Sequence, residues 1–333
     1  NSTERVIYSI SLNGKNKKVV SPQTGFNGAS FTSNYKYFIH TFEDRNTPLI
    51  YSLRDSKSGK LVREILNNNE LLKKLKPFNL SNKNFSKLNL NGEELNMWMI
   101  KPPDFNPKKN YPLLIYQYSG PGSQEVENRW NSNRDLWHQM LAQKGYIIAC
   151  LDGRGTGFKG KKFKKVTYGQ LAKYETEDQI SFAKYLSKLP YINKDRIGIW
   201  GWSYGGLIST NCILKGNDIF SLAIAVAPVT NWRFYDTIYT ERFMGLPKDN
   251  PEGYDLNSPL NFAHLLEGDY LLIHGSADDN VHLQNTMRMV EELIQEDKQF
   301  EWMIYPDKNH GIYGGNTSIH LYNKMTNIKK KKL

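Results

Sequence analysis

From Tyr111 onward, short apolar runs alternate with stretches long enough for helices, and this alternation constrains the fold more than any other feature. The runs are Leu113-Leu-Ile-Tyr116, Ile147-Ile-Ala-Cys-Leu151, Ile197-Gly-Ile-Trp200, Leu222-Ala-Ile-Ala-Val226, Tyr270-Leu-Leu-Ile-His274 and Phe300-Glu-Trp-Met-Ile-Tyr305. The helix candidates are Asp135–Gln143, Thr176–Leu189, Tyr204–Leu214, Leu283–Glu296 and Ile319–Ile328. Successive side chains of a strand point to opposite faces, so a run that is apolar throughout has no face to offer water. Such strands belong in a mostly parallel sheet with helices on both faces. The fold class is therefore α/β.

The first 75 residues follow another rule. Val6-Ile-Tyr-Ser-Ile10, Gly28-Ala-Ser-Phe31, Tyr35-Lys-Tyr-Phe-Ile-His-Thr-Phe42 and Pro48-Leu-Ile-Tyr-Ser-Leu53 are short and bounded by Asn, Gly, Ser and Asp. This is the pattern of an antiparallel meander, about one blade of a β-propeller. One blade cannot bury both of its faces. The expected organisation is a partial propeller over 1–75 and a larger α/β domain over 76–333. A short helix is expected over Asn69–Lys76, and a hairpin about Asn91-Gly92 joining Phe85–Leu90 to Glu93–Lys101.

The net charge of +11 comes mainly from scattered Lys, with runs at Lys159–Lys165 and Lys329–Lys332. No nucleic-acid motif accompanies them, and such runs ordinarily form solvated faces or tails. The two cysteines, Cys150 and Cys212, lie in apolar stretches and read as buried free thiols, not as a disulfide or metal site. No apolar stretch approaches the length of a membrane span, and no cofactor motif is present. The chain starts at Asn1, which reads as a trimmed or partial chain.

Gly201-Trp-Ser203-Tyr-Gly205 follows a strand and opens a helix. That is the setting of a nucleophile elbow in an α/β-hydrolase fold. A serine hydroxyl needs a base. His310, in the polar loop Asp307-Lys-Asn-His310-Gly311 after the last strand, is the best placed of the seven histidines. His282 is its rival, and His274, inside a strand, reads as a core residue. The acid should follow the preceding strand, which leads into Ser276-Ala-Asp278-Asp279-Asn280. The pattern alone does not choose between Asp278 and Asp279. The Tyr204 N–H, at a helix start, is a candidate oxyanion donor, and Tyr118, before Gly120-Pro121-Gly122, is a second.

Gly201-Trp-Ser-Tyr-Gly-Gly206, Asp152-Gly-Arg-Gly-Thr156, Tyr239-Thr-Glu-Arg-Phe-Met-Gly-Leu-Pro247 and Leu272-Ile-His-Gly-Ser-Ala-Asp-Asp-Asn-Val-His282 together resemble the dipeptidyl peptidase IV branch of the prolyl oligopeptidase family. The resemblance is strong from about Tyr111 to Tyr322. It implies a serine peptidase that releases N-terminal Xaa-Pro or Xaa-Ala dipeptides without a cofactor. It implies Ser203 as nucleophile, Asp278 as acid, His310 as base, and Tyr118 with the Tyr204 amide as oxyanion donors. Val229, Trp232, Tyr235, Tyr239, Tyr204 and Val281 are implied as the pocket for a small residue before the scissile bond, and Asn280 as a ligand of a substrate carbonyl. Aromatic walls suit a flat pyrrolidine ring. The resemblance also implies an exported or periplasmic protein and dimerisation through the hydrolase domain.

The same branch reads the substrate's free amine with paired Glu side chains and an Arg from earlier propeller blades. Glu125, Glu127, Glu175 and Glu177 are the nearby pairs here, and none matches that group. Slow, promiscuous or absent cleavage by this stretch of chain is the expectation that follows.

Overall fold

The computed structural model describes residues 2–130 and 132–332, and the chain folds as two compact units. The first reaches Asn84 and takes in Ile100–Pro103 and Val126–Lys144, so it extends past the boundary expected at 75/76. Ion pairs unite these segments: Arg129 Nε with Glu43 at 2.5 Å, Arg5 with Glu127 at 3.4 Å, and Lys83 with Asp135. None of these pairings, formed across distant segments, follows from local periodicity.

In the first unit, β1 (Tyr8–Ser9) and β2 (Lys18–Val19) form a small antiparallel ladder. The main sheet is a meander of β3 (Phe26–Phe31), β4 (Tyr37–Asp44), β5 (Thr47–Asp55) and β6 (Leu61–Leu66), each antiparallel to the next. Its fourth strand is thus β6, and the Val6–Ile10 run lies in the small ladder instead. Strand β4 buries Phe38, His40 and Phe42 on one face, as a period of two requires. Strand β6 buries no residue, which is why its sequence lacked the alternation of a strand. The helix α1 spans Asn69–Leu75.

The second unit is built on eight strands: β7 (Lys83–Leu90), β8 (Glu93–Ile100), β9 (Tyr111–Tyr116), β10 (Ile147–Asp152), β11 (Ile192–Trp202), β12 (Leu222–Val226), β13 (Asp269–Gly275) and β14 (Glu301–Tyr305). Their order is β14-β13-β12-β11-β9-β10-β8-β7, and the six from β14 to β10 are parallel. Strands β9, β10 and β12 are buried at every position. Each fully buried aliphatic side chain contributes about 1.5–3 kcal/mol. The β7–β8 hairpin turns at Asn91 (φ 51°) and Gly92 (φ 80°), two successive positive values that Asn-Gly accommodates. This is the α/β-hydrolase architecture, with an antiparallel β segment before it.

The helices α2 (Ser132–Gln143), α3 (Lys161–Lys165), α4 (Lys173–Leu186), α5 (Tyr204–Lys215), α6 (Thr237–Met244), α7 (Pro251–Asp255), α8 (Gln284–Gln295) and α9 (Thr317–Lys332) complete the chain. Helix α5 buries every residue from Tyr204 to Leu214, and Cys150 and Cys212 are buried free thiols. Among the described residues, no helix is long and apolar enough to cross a membrane, and no cluster of metal-ligating side chains occurs.

Candidate active site

The carboxyl ends of four parallel strands carry the candidate residues. Tyr118 follows β9, Ser203 follows β11, Asp278 follows β13 and His310 follows β14. Loops at this edge of an open α/β sheet are where ligands bind.

Ser203 is the single residue between β11 and α5, at φ 60° and ψ −117°. A non-glycine residue there stores about 1–3 kcal/mol of strain. Its neighbours hold it in place. A Cβ on Gly201 would sit 2.5 Å from the Gly205 carbonyl and 2.7 Å from the Gln117 oxygen, and one on Gly205 would sit 2.6 Å from the same Gln117 oxygen. Both positions therefore require glycine. The Ser203 N–H donates to the Val226 carbonyl at 2.8 Å. Gln117, fully buried and unmarked in the sequence reading, donates from Nε2 to the Gly205 carbonyl (2.7 Å) and to Ser209 Oγ (3.1 Å), tying the β9 loop to α5.

His310 Nδ1 lies 2.7 Å from Asp278 Oδ2. Asp278 Oδ1 accepts the N–H groups of Asn280 (3.0 Å) and Val281 (2.9 Å). Burial alone would raise the Asp278 carboxyl pKa. Hydrogen bonding from His274 and His310, the His310 charge and the Asn280 N–H outweigh it and hold the group well below the usual carboxylate range. An ionised carboxylate only accepts, so His310 Nδ1 carries the proton of this bond. Asp279 is exposed, which separates two residues the sequence pattern left equivalent. His282 is also exposed, and its carbonyl accepts from Asn285 at the start of α8.

The Asp278 and His310 loops are laced together. Ala277 N–H donates to the Lys308 carbonyl (3.1 Å), Ser276 N–H to the Tyr305 carbonyl (2.9 Å) and Asp307 N–H to Ser276 Oγ (2.8 Å). Trp202 Nε1 donates to the His310 carbonyl at 2.9 Å, which anchors the His310 loop to the residue before Ser203. In this conformation no hydrogen bond joins Ser203 to His310 among the described residues. Catalytic hydrogen bonds often close only with substrate bound.

The Tyr118 phenol makes a polar contact with the Ser203 side chain. Burial first, then the Glu125 charge, raises its pKa, so it stays a neutral donor. The Tyr204 N–H opens α5 and has no intrahelical acceptor. Beside them stands an aromatic wall. Ring centroids are 6.1 Å apart for Tyr118–Tyr204, 5.4 Å for Tyr204–Trp232, 5.9 Å for Trp232–Tyr239 and 5.4 Å for Tyr235–Tyr239. Val229 and Val281 are buried in the same apolar cluster. Tyr235 Oη donates to Asn280 Oδ1 at 2.7 Å, and burial with the nearby Asp236 charge pushes the phenol up to about 12.

Glu175 reads in the sequence as a first-turn residue favoured by the helix dipole. It does lie in the first turn of α4, but it is fully buried. Tyr204 Oη donates to its Oε1 at 2.7 Å and accepts the Ala172 N–H at 3.2 Å. Burial drives the Glu175 carboxyl up to about 8, against a model-peptide value of 4.5. The folded protein therefore keeps this proton while the unfolded chain releases it. The stabilising effect is complete below about pH 4.5 and is lost as pH rises to about 8, up to roughly 4 kcal/mol. Glu175→Gln should flatten that slope, losing less Tm than the parent between pH 5 and pH 8. Equal slopes in thermal unfolding would show that the carboxyl is already ionised.

The other glutamates are engaged. Glu127 pairs with Arg5 (3.4 Å) and Arg129 (3.7 Å), and Glu177 with Arg154 (3.1 Å). The Glu125 N–H donates to Asp152 Oδ1 at 2.9 Å.

Residues 132–333 match the prolyl oligopeptidase family. The chain is 36% identical over 331 residues to the "Probable dipeptidyl-aminopeptidase B" of Aspergillus terreus, covering 98% of this chain and 36% of that protein. It is 38% identical over 316 residues to the protein of the same name from Arthroderma benhamiae, covering 93% and 34%. The crystal structure of Porphyromonas gingivalis dipeptidyl peptidase 4 superposes with a TM-score of 0.96 at 46% identity, over 100% of this chain and 47% of that one. The chain thus spans about a third of the length of these curated relatives and just under half of the solved one. A family match over most of the α/β unit, on a fold that sets a strained serine and an aspartate–histidine pair at one sheet edge, has one reading: this chain belongs to the prolyl oligopeptidase family.

Proposed function

We propose that this chain is the catalytic part of a serine peptidase that releases N-terminal dipeptides with Pro or Ala in second position. The observation that carries the reading is the His310–Asp278 pair at 2.7 Å, joined through Trp202 to a serine held in an elbow. The catalytic step is acyl transfer. His310 Nε2 takes the Ser203 proton as Oγ bonds to the substrate carbonyl carbon. The Tyr204 N–H and Tyr118 hydroxyl stabilise the oxyanion. His310 then protonates the leaving amine as the C–N bond breaks, and water hydrolyses the acyl-enzyme by the same route reversed.

The aromatic wall of Tyr204, Trp232, Tyr235 and Tyr239 supports the Pro or Ala preference, since it offers flat faces to a small ring. The engagement of Glu127, Glu175 and Glu177 supports a weak demand for a free substrate amine in this stretch of chain. The test is hydrolysis of Gly-Pro-anilide, Gly-Phe-anilide and N-blocked Gly-Pro-anilide under identical conditions. The expected kcat/KM for Pro exceeds that for Phe by about 10- to 100-fold, and N-blocking changes it far less. Equal rates for Phe and Pro, or turnover of short esters alone, overturn the peptide reading.

A further inference from the structure

Strand β13 contributes a second imidazole to the site, from a residue that the sequence assigns to the core. His274 is fully buried. Its Nδ1 lies 2.8 Å from Thr286 Oγ1, and its Nε2 lies 2.7 Å from the Val281 carbonyl and 3.2 Å from Asp278 Oδ2. These neighbours determine where the ring carries its proton. Both atoms facing Nε2 are acceptors, so Nε2 carries a hydrogen. The Thr286 hydroxyl, also fully buried, then donates to Nδ1. Of the two tautomers of the neutral ring, these partners select Nε2–H.

That hydrogen serves the acid in two ways. Its shorter contact is to the Val281 carbonyl, and the Val281 N–H donates in turn to Asp278 Oδ1. His274 thereby clamps the turn that delivers two backbone N–H groups to the carboxylate. Its second contact is with Oδ2, the oxygen that also holds His310. With Asn280, Val281 and His310, it brings the number of N–H groups around the carboxylate to four, which matches the acceptor capacity of the group.

We propose that His274 is a positioning residue for the acid–base pair, holding Asp278 ionised and aimed at His310. The proposal rests on the peptidase reading for its kinetic consequence but not for its structural one. Because the charge of Asp278 is shared among more donors, it pulls less on the His310 proton. Removing the imidazole N–H frees the clamped turn and so should slow the chemical step, and it lets Asp278 pull harder on His310, which moves the acidic limb of kcat/KM to higher pH. It should change KM for Gly-Pro-anilide less than kcat, because the aromatic wall of Tyr204, Trp232, Tyr235 and Tyr239 is left unaltered.

The experiment uses His274→Phe, which keeps the ring volume without a donor, and His274→Gln, which returns an N–H near the position of Nε2. Rates are divided by the fraction of Ser203 that a fluorophosphonate labels, so misfolded protein is not counted. The expected result is a kcat about tenfold lower per labelled site in the Phe variant. The acidic limb should be raised by a few tenths of a pH unit, and the Gln variant should recover both. An unchanged kcat per labelled site in the Phe variant, with only the labelled fraction reduced, means that His274 is structural and overturns the proposal. ¹⁵N NMR of the unaltered protein decides the matter if the Phe variant does not fold. An Nε2–H form of His274 supports the proposal and an Nδ1–H form sinks it. Inert protein with the Nε2–H form leaves this proposal standing while the peptidase reading falls.

Discussion

Ser203→Ala is expected to abolish covalent labelling by a fluorophosphonate and to lower kcat on Gly-Pro-anilide by about 10⁴- to 10⁶-fold, with little change in Tm. The asymmetry follows from the geometry. In the proposed mechanism the hydroxyl is the nucleophile, and nothing else among the described residues occupies the elbow between β11 and α5. The backbone there is held by contacts that Ala keeps: the Ser203 N–H to Val226 and the close approach of Gly201 and Gly205 to Gln117. The residual rate should come from the Tyr204 N–H, the Tyr118 hydroxyl and substrate binding. Continued labelling of the variant at another residue, with turnover retained, would remove Ser203 from the mechanism.

The second large effect is expected from Asp278→Asn, about a 10⁴-fold loss of kcat at neutral pH. The reason is the set of N–H groups that surround this carboxylate. The backbone N–H groups of Asn280 and Val281 face Oδ1, while Nδ1 of His310 and Nε2 of His274 face Oδ2. An amide must place its NH₂ where an accepting oxygen stood. Turned toward His310, it forces Nδ1 to become an acceptor and moves the proton to Nε2, where the imidazole can no longer accept from Ser203. ¹⁵N NMR of His310 should report that exchange directly. Asp279→Asn is the control, since Asp279 is exposed and should cost little. Comparable losses at both positions would mean that the loop, not the carboxylate, carries the effect.

The legible parts of this protein are those where one local rule suffices. Runs such as Leu113–Tyr116 and Leu222–Val226 are apolar at every position, and only a sheet covered on both faces shelters them. The Asn91-Gly92 turn and the Gly-x-Ser-x-Gly elbow declare themselves through backbone conformations that few residues tolerate. Strand β6 was not legible, because it buries no residue and so carries no period. Gln117, His274 and Glu175 carried no signal of their own. A Gln in a loop, a His in a strand and a Glu in a first helical turn each have an ordinary reading, and each is fully buried against a residue of the site.

The alternation of apolar strands with helices from Tyr111 onward and the elbow were determined by sequence alone, because periodicity and backbone tolerance act over a few residues. The bond that joins Asp278 rather than Asp279 to His310, the burial of Glu175 against the Tyr204 hydroxyl, and the facing of His274 onto Asp278 were decided by the tertiary structure. Hydrogen bonds and burial join residues far apart in the chain, as Trp202 and His310 are at 108 positions, and no local window of sequence contains both partners.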